Sequence, residues 1–192
     1  QTSTNNLKKV FVMMRDGLDI ILPDVYILFG PIVVILNAWL PQYARSLELF
    51  SILFPICVFD GKMDIVGTTF FKVLRQEKRL LKLNVITFTE SVVTTTIGTY
   101  VFHSVEFTLI AVMLILGIRS TYSELIITQI LDVKTTTLGF FTLLLSLIFI
   151  VIAQLVKPMV ASLIFVAIYL GFLCINKKNL HSFILTAQSL KR

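Results

Sequence analysis

From residue 20 onward the chain is built of long apolar runs separated by short charged clusters, and this alternation limits what it can fold into. The runs cover residues 20–40, 47–60, 85–102, 105–118, 138–156 and 158–175. A helix needs about 20 mainly apolar residues to cross a bilayer. The second and fourth runs are short, so they extend into their flanks, tilt or re-enter, and four to six crossings are expected. Hydrophobic residues make up 56% of the chain and charged ones 15%, whereas soluble domains are about 45–50% apolar. The expected fold is an all-α integral membrane protein, a six-span helical bundle forming a single transmembrane domain over 1–192. Within it we expect an interfacial helix at about 5–19, the spans over 20–175 and a cytoplasmic tail over 176–192.

Charge placement fixes an orientation. If the six runs alternate from a cytoplasmic N-terminus, the cytoplasmic side holds Lys8, Lys9, Arg15, six basic residues from Lys62 to Lys82, Arg119, Lys134, Lys177, Lys178, Lys191 and Arg192. The outer side holds only Arg45 and Lys157. This asymmetry satisfies the positive-inside rule and favours six crossings in a cell membrane, with both termini cytoplasmic. It also accounts for the net charge of +6 without a nucleic-acid partner. The outer connections, "PQYARS", "HS" and "KP", are too short to form a receptor domain.

Two stretches have amphipathic spacing. In the first, Leu7, Val10, Phe11, Met14, Leu18 and Ile21 follow helical periodicity, and Lys8, Lys9, Arg15, Asp16 and Asp19 fill the remaining circumference. This predicts an interfacial helix with Leu7, Val10, Phe11 and Met14 facing lipid, ending at a kink at Pro23. The second is "FFKVLRQEKRLLKLN", residues 70–84. There Phe70, Leu74, Leu81 and Val85 share a face, and Lys72, Arg75, Arg79 and Lys82 gather opposite them. Such a segment holds its loop in the cytoplasm, binds anionic lipid or docks a cytoplasmic partner.

The order of these elements resembles the six-span permeases of type 2 ABC exporters, in particular small bacterial permeases of peptide and antibiotic export. An amphipathic helix and two spans lead into "FDGKMDIVGTTFFKVLRQEKRLLKLNVITF", followed by four more spans. The family tends to have an Asp after the second span, then a Leu-Pro-x-x-Arg-Lys turn. Asp60 matches the Asp, Leu74 the Leu, and Lys78 with Arg79 the basic pair. Arg75 stands where the family has Pro, which predicts a more continuous helix here. The resemblance implies that Leu74, Arg75, Gln76, Glu77, Lys78 and Arg79 couple to an ABC ATPase subunit. It also implies a second permease copy or related permease as partner, and a short re-entrant pair near Gln154, Lys157 and Pro158. ATP and Mg would be bound by the partner, since this chain has no phosphate-binding loop motif and is not itself expected to be an enzyme.

Intramembrane carboxylates mark functional positions by default. Glu90 lies within the third run, and Ser91, Thr94 and Thr95 add hydroxyls to make a polar strip. The strip lines a substrate path, faces another subunit, or is simply bonded to neighbouring helices. No metal site is expected, because His103 and Glu106 lack further ligands and His181 lies far away. No nucleophile, base and orienting group recur together. Cys57 and Cys174 lie in apolar runs without redox spacing. The expected function is a permease exporting a hydrophobic or amphipathic peptide, antibiotic or lipid-like molecule. The alternatives are a sensor or assembly subunit docking a cytoplasmic protein, and an ion-coupled carrier using Glu90.

Overall fold

The apolar runs fold as helices in the structure, a computed structural model that describes residues 2–175. The expected tail, 176–192, lies outside the described residues. Helix α1 (Thr2–Ile21) runs through a 3₁₀ segment at Leu22–Leu28 into α2 (Phe29–Trp39). A short turn and α3 (Ala44–Glu48) lead to α4 (Phe50–Lys62). A π-helical segment, Met63–Thr68, then joins α4 to α5 (Thr69–Val73). Helices α6 (Glu77–Tyr100), α7 (Val105–Ile130), α8 (Leu138–Leu155) and α9 (Pro158–Ile175) complete the bundle. No strand occurs among the described residues. The expected interfacial helix and first span thus form one helical run, with Pro23 in the first turn of the 3₁₀ segment, where its missing N–H costs least. Helices α8 and α9 are 18 residues each and meet at Val156 and Lys157.

The π segment follows from the burial pattern around it. Val58, Lys62, Val66 and Phe70 are buried, as are Phe59, Met63, Gly67 and Phe71. Both series repeat every four residues. An α-helix has 3.6 residues per turn, so a four-residue repeat drifts about 40° at each step. The wider π turn lets the drift unwind, so Phe70 and Phe71 stay on the face that carries Val58 and Phe59.

The interior is stratified. One apolar cluster joins Tyr26, Phe29, Ile52, Val58, Phe149 and Phe165. At its centre the Tyr26 ring stacks on Phe149 at 4.5 Å and meets Phe165 edge-on at 5.2 Å. A second cluster joins Phe11, Met63, Phe70, Phe71, Leu80 and Ile127, with Phe11 against Phe70 at 5.0 Å. Buried charged side chains of α1, α4 and α7 lie between these two clusters along the helices.

Helix α9 closes the larger cluster against α2. Gly30 allows this approach: a Cβ there would sit 2.7 Å from the Pro158 carbonyl oxygen. The Gly30 N–H donates to Ser162 Oγ at 2.8 Å, and the Tyr169 hydroxyl donates to the Ile20 carbonyl at 2.6 Å.

The outer surface is strongly apolar. Trp39 is 80% exposed, Leu155 77%, and Phe88 and Leu163 70% each. Large side chains left open in such number belong against lipid tails. Three helices are long and apolar enough to cross a membrane: Asn5–Trp39, Val105–Ile130 and Leu138–Leu155. The run Pro158–Cys174 is apolar but shorter. The chain is therefore a membrane protein, all-helical over its described residues.

The continuous helix expected over residues 70–84 is not found. Helix α5 stops at Val73, and Arg75 adopts a left-handed backbone, φ 55°. The Gln76 N–H donates to the Phe71 carbonyl at 2.8 Å, and the Arg75 N–H to that of Lys72 at 3.0 Å. This is a Schellman termination with Arg75 where Gly is usual. The break re-phases α6, so Leu80 and Leu83 turn inward, whereas Leu81 and Val85 are exposed.

Candidate functional site

Five charged side chains from three helices meet inside the bundle. On α1, Arg15, Asp16 and Asp19 are spaced i, i+1 and i+4, close enough around a helix to point the same way. Lys62 comes from the last turn of α4, and Glu124 from α7 one turn before Thr128. Their exposures are 1% for Arg15, 8% for Asp16, 0% for Asp19, 3% for Lys62 and 5% for Glu124. Lys62 Nζ donates to Asp19 Oδ1 at 2.5 Å and to Glu124 Oε2 at 2.7 Å. Arg15 Nε donates to Asp16 Oδ1 at 2.8 Å and lies 3.6 Å from Glu124 Oε1. Arg15 Nη1 reaches Thr128 Oγ1 and the Lys134 carbonyl.

Helix α8 completes the enclosure. Thr142 Oγ1 lies 3.2 Å from Asp19 Oδ1 and 3.1 Å from the Leu138 carbonyl, so its one proton is shared between these two acceptors. Gly139 leaves room for the ions, since a Cβ there would lie 3.1 Å from Glu124 Oε2 and 3.3 Å from Lys62 Nζ. Three carboxylates face two cations, and Asp19 Oδ2 is buried without a hydrogen-bond partner. Burying charges is costly unless each is paired and hydrogen-bonded, and a network this enclosed is a functional candidate by default.

Sequence reasoning placed these groups apart. In sequence, Asp16 and Asp19 fall on the non-apolar circumference of an amphipathic helix, Lys62 in the central cytoplasmic cluster, and Glu124 past the fourth run, which ends at residue 118. The readable signals were a carboxylate inside the helical continuation of the fourth run and mixed charges on one face of an amphipathic helix.

The residues expected on the interfacial helix pack against protein. Phe11 is fully buried, and Leu7, Val10 and Met14 lie against the same aromatic cluster. The residues expected to couple to a partner gather at the α5–α6 turn. Arg75, Glu77, Lys78 and Arg79 are exposed, as are Lys72 and Lys82, while Leu74 and Gln76 are half-buried. Among the described residues, no carboxylate pairs with these five cations. The base of the turn is anchored by Phe70, Phe71, Leu80 and Leu83 in the smaller apolar cluster.

Glu90 is exposed on α6, away from the buried ions. With Thr89, Val93, Thr94, Ile115 and Ile118 it lines an open cavity of about 450 Å³. Ser91 is half-buried and Thr95 exposed, and neither lines that cavity. A larger cavity, about 590 Å³, opens where α2, α3 and the α8–α9 turn meet, with Glu48, Glu106, Asn37 and Gln154 in its wall. His103 lies in the α6–α7 turn with φ 48°. Among the described residues, no three His, Cys, Asp or Glu side chains are grouped to hold a metal ion.

Compared with known proteins, the chain matches no family model, no curated sequence and no solved structure. The class that fold and site define is therefore a helical membrane protein with an enclosed ion network and an exposed basic turn.

Proposed function

We propose that the chain is the transmembrane subunit of an ATP-driven exporter, a six-span permease with both termini in the cytoplasm. Its cargo is a hydrophobic or amphipathic molecule such as a peptide, antibiotic or lipid. A separate ABC ATPase subunit binds ATP and Mg and supplies the energy, and a second permease chain completes the translocation unit.

The observation that carries this reading is the α5–α6 turn. Its five cations are solvated and unpaired among the described residues, while its apolar base is packed against α1 and α7. A push on the turn is therefore delivered to the helices that hold Arg15, Asp16, Asp19 and Glu124, and rigid elements of this kind can move as a body.

Copurification from the native membrane tests it. An ATPase should accompany the wild type and be lost when Leu74, Arg75 and Arg79 are together changed to Glu. ATPase activity in proteoliposomes that ignores these changes would remove the coupling role.

A further inference from the structure

Lys62 is a single ammonium placed between two carboxylates. It donates to Asp19 Oδ1 at 2.5 Å and to Glu124 Oε2 at 2.7 Å. The other cation, Arg15, donates from Nε to Asp16 at 2.8 Å and from Nη1 to Thr128 and the Lys134 carbonyl, and its Nε lies 3.6 Å from Glu124 Oε1, so it neutralises Asp16 and part of Glu124 but makes no ion pair with Asp19. The charged groups facing the pair are Arg15 and Asp16 from α1 and Lys62 from α4, with the Thr142 hydroxyl from α8. Full ionisation leaves this enclosure one negative charge out of balance between two apolar clusters. The one side-chain atom of the network left buried without a partner is a carboxylate oxygen, Asp19 Oδ2.

We infer that Asp19 and Glu124 share one exchangeable proton around Lys62, so that the network is a proton-binding site inside the bundle. The step adds a proton to a carboxylate oxygen, giving the neutral acid, and returns it to water or a solvated base; no other bond changes.

The α8 side offers the proton no relay. On the α8 side, Thr142 donates to Asp19, but Ser146 donates to the Thr142 carbonyl, and Tyr26 pairs with Ser146 beyond it. A carbonyl oxygen has no proton to pass on, so this chain of bonds is not a relay. Asp16, 8% exposed, is the most open member of the network.

This inference does not depend on the exporter reading, and its test needs no cargo or ATPase. The full chain is reconstituted in phosphatidylcholine vesicles, and its infrared spectrum is recorded at neutral pH with 13C-carboxyl aspartate or glutamate labels. The expected result is a carboxylic-acid carbonyl band that moves with label and with D2O exchange, and is lost in Asp19→Asn or Glu124→Gln. It should survive Glu90→Gln, which changes an exposed carboxylate outside the network. Absence of an acid band in the labelled wild type would overturn the inference, whether or not the variants fold. So would a band that persists in both network variants.

Discussion

Two stretches of this chain carry the same kind of sequence and fold in opposite senses. Residues 7–21 and 70–85 both mix apolar residues at helical spacing with charged ones. In α1 the charges of Arg15, Asp16 and Asp19 turn into the protein. At the α5–α6 turn, Lys72, Arg75, Lys78, Arg79 and Lys82 all turn out. The difference lies in sign and partners. The buried set of α1 contains both signs and meets Lys62 and Glu124, so its charges can be compensated away from water. The turn carries five cations and one carboxylate, Glu77, and makes no ion pair among the described residues, so its charges stay solvated. An amphipathic pattern therefore says that two faces differ, but not which one is buried.

The largest expected effect comes from removing the one cation that both carboxylates share. Lys62→Met leaves Asp19 and Glu124 buried without it, and breaking a buried pair from one side costs about 3–5 kcal/mol. Lys78→Ala or Arg79→Ala, at exposed positions, should change stability by no more than about 0.5 kcal/mol. Denaturant unfolding in mixed micelles measures both. Equal losses at the two regions would erase the distinction between inward and outward charge.

Thr142→Val probes the α8 wall of the network. It removes a hydroxyl whose one proton is shared between Asp19 and the Leu138 carbonyl, and Asp19 already has one oxygen without a partner. A full hydrogen bond to a charged group is worth about 1.5–3 kcal/mol, and since this proton is shared, a loss of up to about 1.5 kcal/mol is expected in the same unfolding measurement. A neutral result would show that Asp19 is not held by α8.

A pair of glycines sharpens the comparison by packing alone. Gly139→Ala presses a methyl group toward Glu124 and Lys62 and should cost about 1–3 kcal/mol. Gly61 precedes Lys62 in the chain, but a Cβ there meets nothing within 4 Å. Gly61→Ala should instead stabilise α4, by up to about 1 kcal/mol from helix propensity. Thermal melting of the two variants side by side reads both signs.

Helix positions were largely legible, because apolar runs and turn residues are local signals. The runs 138–156 and 158–175 correspond to α8 and α9, and Ser104 caps α7 by accepting from the Phe107 N–H. Helix α7, however, extends to Ile130, well past the apolar run that ends at residue 118. Arg119, Ser120 and Glu124 read as the end of a span because each is polar by itself. Arg119 finds Asn84 on α6 at 2.8 Å, and Glu124 finds Lys62 on α4. Those partners lie 35 and 62 positions away, so no local window contains them. The network escaped notice for the same reason: its members carry no spacing motif, and only the packing of α1 against α4, α7 and α8 brings them together.

Arg75 gives the smallest effect and separates shape from charge at the outward-facing region. Its φ of 55° lies in the left-handed region, which costs an L-residue about 1–2 kcal/mol. Glycine removes that cost but gains freedom in the unfolded chain, which returns about 0.4–1 kcal/mol. Arg75→Gly should therefore stabilise the fold by about 0.5–1 kcal/mol in the unfolding measurement. Proline is locked near −65° and cannot adopt this backbone. Arg75→Pro should break the Schellman turn and cost stability instead. If a partner reads the shape of the turn, Arg75→Gly keeps the partner while Arg75→Pro loses it. If the partner reads charge, both variants weaken copurification alike, and the turn's role is that of a basic patch, not a shaped knob.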